Sequence, residues 1–347
     1  MQRGRAFLFT YAGSPARFRG SGNEMSASFV WTRSVGGEPM KIHCIPGYVS
    51  ALYLVEYPEQ GRVLLLDSGF PSDLERVRFY VEEVMGAGAP TKRRMSESVR
   101  LVVATHSHVD HAGASKGYED CGIPVAYPSG MENCYSGLKG RVAQMFESSL
   151  SQFVAGRLGR SVRERSFLFS GGLLGPFWQM PTGALRLDDA TPLPLGFHDW
   201  VAIRCPGHTA HMVCLYHPYS RIFYASDMFV SIRRRFFPPL PLDFEWAYNR
   251  TLHRLRRLPT RCALLAHGGI IDVEDRCVSW NALIDEVVHN CEPTARESPR
   301  FERLRRLIAA SSSVLLGEEL SPDTLPRGPL PLPREGQEPP HLHVIDF

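Results

Sequence analysis

The sequence lacks the features that would assign it to a membrane, an extracellular scaffold or a nucleic acid. No apolar run approaches the roughly 20 residues that a membrane-spanning helix needs. The eight cysteines have no C-x-x-C spacing, which favours reduced thiols and an intracellular protein. Net charge is only +3, and beyond residue 24 the 35 basic and 35 acidic residues balance. This balance argues against a general basic surface, so we expect a small molecule as partner, not a nucleic acid or a membrane.

The first 23 residues contain four arginines and no acidic residue. This composition is typical of a mitochondrial presequence, but the methionine at position 25 fits an upstream extension equally well. We therefore expect a cytoplasmic protein, with mitochondrial import as the alternative. Residues 1–39 are assigned to this extension, residues 40–290 to the main domain, and residues 291–347 to a C-terminal helix and a proline-rich tail.

Short apolar runs alternate with helical patterns along the main domain. Residues 48–56 and 62–66 predict a β-hairpin, and Ser72-Asp73-Leu74-Glu75 predicts a helix that starts with a capping box. Residues 131–185 carry Met, Phe and Leu at helical spacing. We interpret them as a helical insertion that either covers the functional site or packs in a homodimer.

Strands and helices return after the insertion. The predicted strands cover residues 191–195, 200–205, 212–216, 221–225 and 262–266, and the predicted helices cover residues 244–258, 275–290 and 301–316. Two halves that each alternate strands with helices predict an α/β fold. We expect a four-layer αββα sandwich with C-terminal helices.

The most informative segment follows the apolar run at residues 101–104. His106, His108, Asp110 and His111 form an H-x-H-x-D-H motif, in a chain with only 13 histidines among 347 residues. Imidazole and carboxylate are ligands that zinc, iron and manganese prefer. A solvated histidine-rich loop is the alternative, but three imidazoles and one carboxylate within six positions favour a metal site.

Three further candidate ligands stand directly after predicted strands. His208 lies in a Pro-Gly-His-Thr segment. A single serine separates Asp227 from the strand predicted before it, and His267 directly precedes two glycines. Strand ends hold side chains rigidly, and neighbouring glycines let the backbone turn beside an ion. Because sites of α/β proteins form where strands end at one edge of a sheet, we expect these residues to meet the 106–111 motif.

The order of these motifs resembles that of the metallo-β-lactamase superfamily, in particular its glyoxalase II-like and lactonase-like hydrolases. The resemblance covers about residues 40–270 and includes Leu65-Leu66-Asp67-Ser68-Gly69. It implies two divalent metal ions, expected to be Zn²⁺, with iron or manganese as alternatives. It also implies that Asp67 orients a ligand or the metal loop, and that the hydroxyls of Thr105 and Thr209 steady the loops.

By this resemblance the seven candidates divide into two ligand sets that share one carboxylate. They are His106, His108 and His208 for the first metal, Asp110, His111 and His267 for the second, and Asp227, which bridges both together with a water or hydroxide. Two ions lower the pKa of such a water and polarise a carbonyl or phosphoryl oxygen. Asp110 is the expected catalytic residue, because it can accept a proton from the nucleophile or pass one to the leaving group.

Two departures from the family pattern bear on the substrate. Residues 228–239 lack the Gly-Cys-Gly-Arg-like segment of glyoxalase II, and Phe229 stands where lactonases carry a tyrosine. With Phe236 and Phe237, Phe229 favours a partly apolar substrate, such as a thioester, a lactone or an ester. Tyr248 is a further candidate for the wall of the pocket.

Two other activities of the superfamily are alternatives. Nucleic-acid phosphodiesterases share the ligands, and arginines at 233–235, 254, 256 and 257 could meet phosphates. The neutral main domain argues against them, as does Val109 where those enzymes typically have glycine. Sulfur dioxygenases hold one iron with two histidines and an aspartate, and the complete second ligand set argues against them. We therefore expect a dinuclear metallo-hydrolase.

Overall fold

A computed structural model describes residues 39–87, 92–135, 137–157, 179–232, 235–273, 279–291 and 320–333, and four further strands within residues 18–33 and 341–345. Within these residues, two large sheets pack face to face and helices cover their outer faces. Two small hairpins accompany them. They are β1 (Phe18–Gly20) with β2 (Asn23–Met25), and β14 (Val230–Ile232) with β15 (Arg235–Phe237).

The first large sheet has eight strands. They are β3 (Ser28–Arg33), β4 (Met40–Pro46), β5 (Ala51–Tyr57), β6 (Arg62–Leu66), β7 (Val99–Val103), β8 (Val125–Pro128), β9 (Leu185–Leu187) and β18 (His341–Ile345). Their order is β18-β3-β4-β5-β6-β7-β8-β9. Pairing is antiparallel from β18 to β6 and parallel from β6 to β9.

The second large sheet has six strands. They are β10 (Thr191–Pro192), β11 (Val201–Arg204), β12 (Val213–His217), β13 (Ile222–Ser226), β16 (Cys262–Leu265) and β17 (Gly269–Asp272). They lie in the order β10-β11-β12-β13-β16-β17. Only β13 and β16 pair in parallel, so both strands end at the same edge of the sheet.

The helices lie outside the two sheets or near their shared edge. They are α1 (Asp73–Phe79), which continues into a π-helical turn (Tyr80–Val84), α2 (Met95–Ser98), α3 (Val109–Ala112), α4 (Ser115–Asp120), α5 (Gly137–Arg157), α6 (Glu245–Leu255) and α7 (Trp280–Cys291). Short 3₁₀ turns occur at Met131–Asn133 and Pro322–Thr324.

Side-chain alternation along the strands creates the layers. In β13, Ile222 and Tyr224 belong to the core between the two sheets, whereas Phe223 and Ala225 belong to the core under α6 and α7. Successive residues of a strand point to opposite faces, so each buried strand contributes to two cores. A third core joins the outer face of the eight-stranded sheet to α1, α2 and α4. The predicted α/β fold with four layers in the order αββα is confirmed.

One local prediction at the start of α1 is wrong. The Ser72 side chain makes no capping hydrogen bond, because Ser72 itself has helical dihedrals (φ −73°, ψ −14°). A capping residue needs an extended backbone to turn its oxygen toward the first amides of the helix. The Asp73 carboxylate instead accepts hydrogen bonds from the amides of Phe70 and Tyr48, each at 2.9 Å. The hairpin predicted before this helix is present as β5 and β6.

The sequence pattern does not indicate the strands β3 and β18. They pair with each other, and β3 pairs with β4, so both chain ends extend the eight-stranded sheet. The predicted insertion contains α5, while residues 158–178 and the helix predicted over 301–316 lie outside the described residues. Among the helices that the structure describes, none combines the length and the apolar character needed to cross a membrane.

The core between the sheets should tolerate truncation poorly. Trp200 is fully buried there, and its Nε1 donates a hydrogen bond to the Tyr57 hydroxyl at 3.1 Å. We expect Trp200→Ala to lower the free energy of unfolding by about 3–5 kcal/mol. The matched control is Trp246→Ala, because Trp246 is 39% exposed on α6 and its loss should cost about 0.5 kcal/mol or less. Urea denaturation measures both, and equal losses would contradict this view of the core.

Candidate two-metal centre

All seven predicted ligands lie just beyond the C-terminal ends of strands. The 106–111 motif follows β7, His208 follows β11, Asp227 follows β13 and His267 follows β16. β6 and β7 are parallel neighbours in one sheet, and β13 and β16 are parallel neighbours in the other. The structure therefore brings the seven side chains together at one edge of the sandwich.

The first group offers four donor atoms that all lie within 4.8 Å of one another. They belong to His106, His108, His208 and Asp227. His108 Nδ1 lies 3.1 Å from His106 Nε2 and 2.9 Å from His208 Nε2. Asp227 Oδ2 lies 3.4 Å from His208 Nε2 and 3.9 Å from His106 Nε2.

The second group consists of Asp110, His111 and His267. The Nε2 atoms of His111 and His267 each lie 3.4 Å from Asp110 Oδ2. The same two nitrogens lie 3.3 and 3.4 Å from Asp227 Oδ1. Asp227 therefore presents one carboxylate oxygen to each group.

Apart from the two distances at His108 Nδ1, which lie in the hydrogen-bonding range, these separations suit metal coordination better than direct hydrogen bonding. In a tetrahedral site with bonds of about 2.1 Å, neighbouring ligand atoms are about 3.4 Å apart. The buried atoms His111 Nε2 and Asp227 Oδ1 have no hydrogen-bond partner within the described residues. Such orphaned donor atoms are costly unless something else binds them. Neutral imidazole and carboxylate are also a donor set for divalent transition metals, so the residues present fit two such ions.

The centre is buried on every side but one. The His106 and His111 side chains are fully buried, and those of Asp110 and Asp227 are nearly so. The His267 side chain keeps 26% of its surface exposed. Among the described residues, the centre is therefore most exposed at His267.

The electrostatics of the first group favour neutral imidazoles. Burial lowers the pKa of His106 well below its ordinary value, and repulsion from the neighbouring histidines adds to this effect. Burial, followed by the charge of His208, also lowers the pKa of His108, to about 3. A metal binds the neutral ring, so these histidines are in the ligating form at neutral pH.

The second group has the opposite character and attracts positive charge. Burial acts to lower the pKa of His111, but Asp227, Asp110 and Asp67 raise it well above its ordinary value. Burial acts to raise the pKa of Asp227, but His111 and His267 hold it well below its ordinary value. Carboxylates that stay ionised in a buried site need a cation beside them.

Asp67 organises the loop that carries the motif. Its Oδ1 accepts a hydrogen bond from the Thr105 amide at 2.7 Å. Its Oδ2 accepts from His111 Nδ1 at 2.7 Å and from the Thr105 hydroxyl at 3.1 Å. With Nδ1 held in this way, Nε2 of His111 faces the donor group, which is how outer-shell carboxylates orient ligating histidines. The orienting role expected for Asp67 and Thr105 agrees with these contacts.

Two other histidines are oriented by backbone or hydroxyl oxygens. His208 Nδ1 donates to the Pro241 carbonyl at 2.6 Å, and His106 Nδ1 lies 3.1 Å from the Thr105 hydroxyl. In each case the opposite ring nitrogen faces the first group. All three ring orientations are thus determined before any ion binds.

A sequence profile of the metallo-beta-lactamase superfamily matches residues 45–267, which include every residue of both groups. The chain belongs to the metallo-beta-lactamase superfamily. It is therefore an enzyme of a superfamily whose members are typically metallo-hydrolases. No curated protein matches the chain at a significant level.

Solved structures of superfamily proteins are similar to this chain at low identity. A metallo-beta-lactamase family protein of Thermus thermophilus is 18% identical, with 85% of this chain and 88% of that chain covered and a TM-score of 0.47. A superfamily protein of Sulfolobus tokodaii is 15% identical, with 80% and 98% covered and a TM-score of 0.43. Likeness at this distance carries no information about the substrate.

Two residues that hold this superfamily centre together were missed by the sequence analysis. The Tyr224 hydroxyl donates to Asp67 Oδ2, and the Ser226 hydroxyl lies 2.6 Å from that of Thr105. Ser226 also adopts φ +47°, a strained backbone for a residue other than glycine. Both residues precede Asp227 at alternate positions of β13, so strand periodicity was a signal that could have found them.

The turn that carries His208 packs against Tyr248 of α6. Gly207 has φ +146°, and a Cβ at this position would lie 2.6 Å from Tyr248. Tyr248 is fully buried and donates to the Met228 carbonyl, so it supports this turn and does not line a pocket. The Thr209 hydroxyl has no hydrogen-bond partner in the described part of the chain. The steadying role expected for that hydroxyl is therefore wrong, because its backbone carbonyl, not its side chain, accepts the Gly207 amide at 3.0 Å.

The aromatic residues expected to shape the substrate pocket lie mostly in the core. Phe229 is fully buried, with its ring centroid 5.7 Å from that of Trp280. Phe236 is 3% exposed and belongs to the same core. The inward side of β14 and β15 faces α7, so these rings provide no evidence for an apolar substrate.

Most of the described arginines from the predicted basic cluster have acidic partners. Arg254 makes two hydrogen bonds to Asp189, at 3.0 and 2.7 Å, and Arg256 is paired with Asp285. Arg233 and Arg234 lie outside the described residues. A cleft of about 330 Å³ on α6 is lined by Arg254 and Arg257, but by none of the seven candidate ligands. The arginines that line this cleft are thus separate from the candidate centre.

The contacts of Asp67 predict a specific effect of its charge. We expect Asp67→Asn to weaken binding of Zn²⁺ by about 10–100-fold, because an amide cannot accept every hydrogen bond from His111 and Thr105. The matched control is Asp199→Asn, which neutralises a half-buried carboxylate that accepts a hydrogen bond from the Tyr57 hydroxyl and belongs to neither ligand group. Competition with a chromophoric chelator measures both affinities. Unchanged affinity in Asp67→Asn would show that the contact does not orient a ligand.

Proposed function

We propose that this chain is a metal-dependent hydrolase that cleaves a thioester, lactone or ester with a two-metal centre, with zinc as the expected metal. The observation that carries the proposal is the split of the Asp227 carboxylate, whose Oδ2 faces one donor group and whose Oδ1 faces the other. A carboxylate that lies between two sets of imidazole and carboxylate donors is well suited to bridge two metal ions.

Each side chain has an assigned role in this proposal. The first ion would be held by His106, His108 and His208, the second by Asp110, His111 and His267, and both by Asp227. Two bound divalent ions would supply a water of lowered pKa and polarise the substrate carbonyl. Asp110 would accept a proton from the attacking water and return one to the leaving group. Its carboxylate is one of the donors of the second group, and its side chain is 11% exposed to solvent.

The substrate class is inferred from charge and from the family resemblance. A phosphodiester substrate would require cations beside the centre, yet Arg254 and Arg256 are engaged by Asp189 and Asp285. A carbonyl substrate makes no such demand, because the developing negative charge lies on a single oxygen next to the ions. The motif order supports the glyoxalase II-like and lactonase-like hydrolases. Phe229, however, is buried where lactonases carry a tyrosine, so a lactone would lack that contact.

A substrate panel with the zinc-loaded protein tests the substrate class. It should contain a thioester, a lactone, an ester and bis-p-nitrophenyl phosphate. We expect turnover of at least one carbonyl substrate and two equivalents of bound zinc. Cleavage of the phosphodiester alone would support the phosphodiesterase alternative. One equivalent of iron with consumption of oxygen would support the dioxygenase alternative, and either result would overturn the proposal.

Removing single ligands tests the residue assignment. We expect His108→Ala and Asp227→Ala to abolish measurable turnover and to lower the bound metal, because each removes a donor from a buried group. The matched control is His217→Ala. His217 is also buried, but it lies 3.1 Å from Asp199 and outside both groups, so its removal should preserve metal content and turnover. Full metal content and near-normal activity in Asp227→Ala would refute the shared role of this carboxylate.

A further inference from the structure

The helical insertion contacts the loop that carries the first two histidines. Its residue Tyr135 is buried, and its hydroxyl donates to the Ser107 carbonyl at 2.9 Å. Ser107 lies between His106 and His108, so the direction of this carbonyl is linked to the backbone of both candidate ligands. The hydroxyl oxygen also lies 2.5 Å from Glu147 Oε2 on α5, so its single proton is shared between that carboxylate and the Ser107 carbonyl. One side chain thus links the insertion helix to the motif.

Three hydroxyl groups from three different segments hold the carbonyls of this loop. The Ser50 hydroxyl donates to the Asp110 carbonyl and the Ser68 hydroxyl to the His111 carbonyl, each at 2.8 Å. Ser50 and Ser68 belong to the eight-stranded sheet and its connections. The third hydroxyl, that of Tyr135, comes from the insertion. It contacts the Ser107 carbonyl, which lies between the two histidines of the first group.

The backbone around Tyr135 is built for this contact. Tyr135 has φ +64°, which is unfavourable for a bulky side chain and persists only where the surroundings enforce it. Gly140 of α5 lies directly against it, because a Cβ on Gly140 would come within 2.0 Å of the Tyr135 carbonyl carbon. Tyr135 and Ala143 also share one buried cluster with Val109 and Ala112 of α3. The start of the insertion therefore packs on the metal loop itself.

We propose that Tyr135 is a positioning residue for the first metal, and that the insertion thereby sets the affinity of the centre for its ions. The inference rests on the proposed function and deepens it. Without the hydroxyl, the Ser107 carbonyl loses a buried partner and the peptide between His106 and His108 can rotate. Outer-shell contacts of this kind change metal affinity even though they do not touch the ion.

The decisive variant is Tyr135→Phe, which keeps the ring and removes only the hydroxyl. We expect its affinity for Zn²⁺ to fall about 10–100-fold. The visible spectrum of the Co²⁺-substituted protein should change, because it reports the geometry around the ion. The matched control is Tyr118→Phe. Tyr118 is fully buried on α4, and its hydroxyl has no hydrogen-bond partner among the described residues, so affinity and spectrum should match those of the wild type.

A second variant reaches the same contact from the other side. Gly140→Ala keeps the Tyr135 hydroxyl but places a Cβ 2.0 Å from the Tyr135 carbonyl carbon, so the backbone of Tyr135 must shift. We expect this shift to lower the affinity for Zn²⁺ in a variant that circular dichroism shows to be folded. Lys139→Ala, at the exposed neighbouring position, is the control and should leave zinc affinity unchanged.

The outcomes separate the two proposals. If the wild-type protein binds fewer than two divalent ions, the proposed function fails, and this inference fails with it. If the wild type binds two ions and Tyr135→Phe binds them equally well with an unchanged Co²⁺ spectrum, the positioning role alone is overturned. Thermal unfolding of the metal-free proteins should show a modest loss of stability in Tyr135→Phe, because buried hydrogen bonds to Ser107 and Glu147 are lost, and little change in Tyr118→Phe. A large loss of stability in Tyr135→Phe, with unchanged metal affinity, would assign Tyr135 to packing only.

Discussion

A single buried carboxylate, Asp67, connects the two sheets at the edge where the candidate ligands meet. From the end of β6 it accepts hydrogen bonds from Thr105 and His111, and from the other sheet it accepts those of Tyr224 and Ser226. A buried donor that loses its acceptor costs about 1–3 kcal/mol, so the sheets cannot shift at this edge without a large penalty. The same carboxylate therefore holds both the motif loop and β13, the strand before Asp227.

The same edge contains a charge arrangement that the protein side chains do not satisfy by themselves. Three imidazoles turn ring nitrogens toward one another, and burial lowers the pKa of His106 and His108. Beside them, the Asp110 and Asp227 carboxylates stay ionised and raise the pKa of His111. Cations suit both halves, since neutral nitrogens can donate to them and carboxylates can balance their charge.

Sequence reasoning succeeded where the signal is local and failed where it depends on tertiary approach. The alternation of strands with helices in two halves predicted the four layers, and strand ends predicted where the ligands meet. No local pattern marks the Pro241 carbonyl that holds His208, because 33 residues separate them along the chain. The sequence shows that Phe229 is aromatic, but it does not show that the ring is buried in the core beside Trp280 instead of lining a pocket. Ser72 had the residue types of a capping box, yet its helical dihedrals prevent the cap.

If two adjacent cations share the Asp227 carboxylate, both are visible in diffraction from crystals of the zinc-loaded protein, measured on both sides of the zinc absorption edge. We expect two anomalous peaks at the sheet edge with Asp227 between them. One peak should contact His106, His108 and His208, and the other should contact Asp110, His111 and His267. A single peak, or two peaks of which only one contacts Asp227, would contradict this expectation.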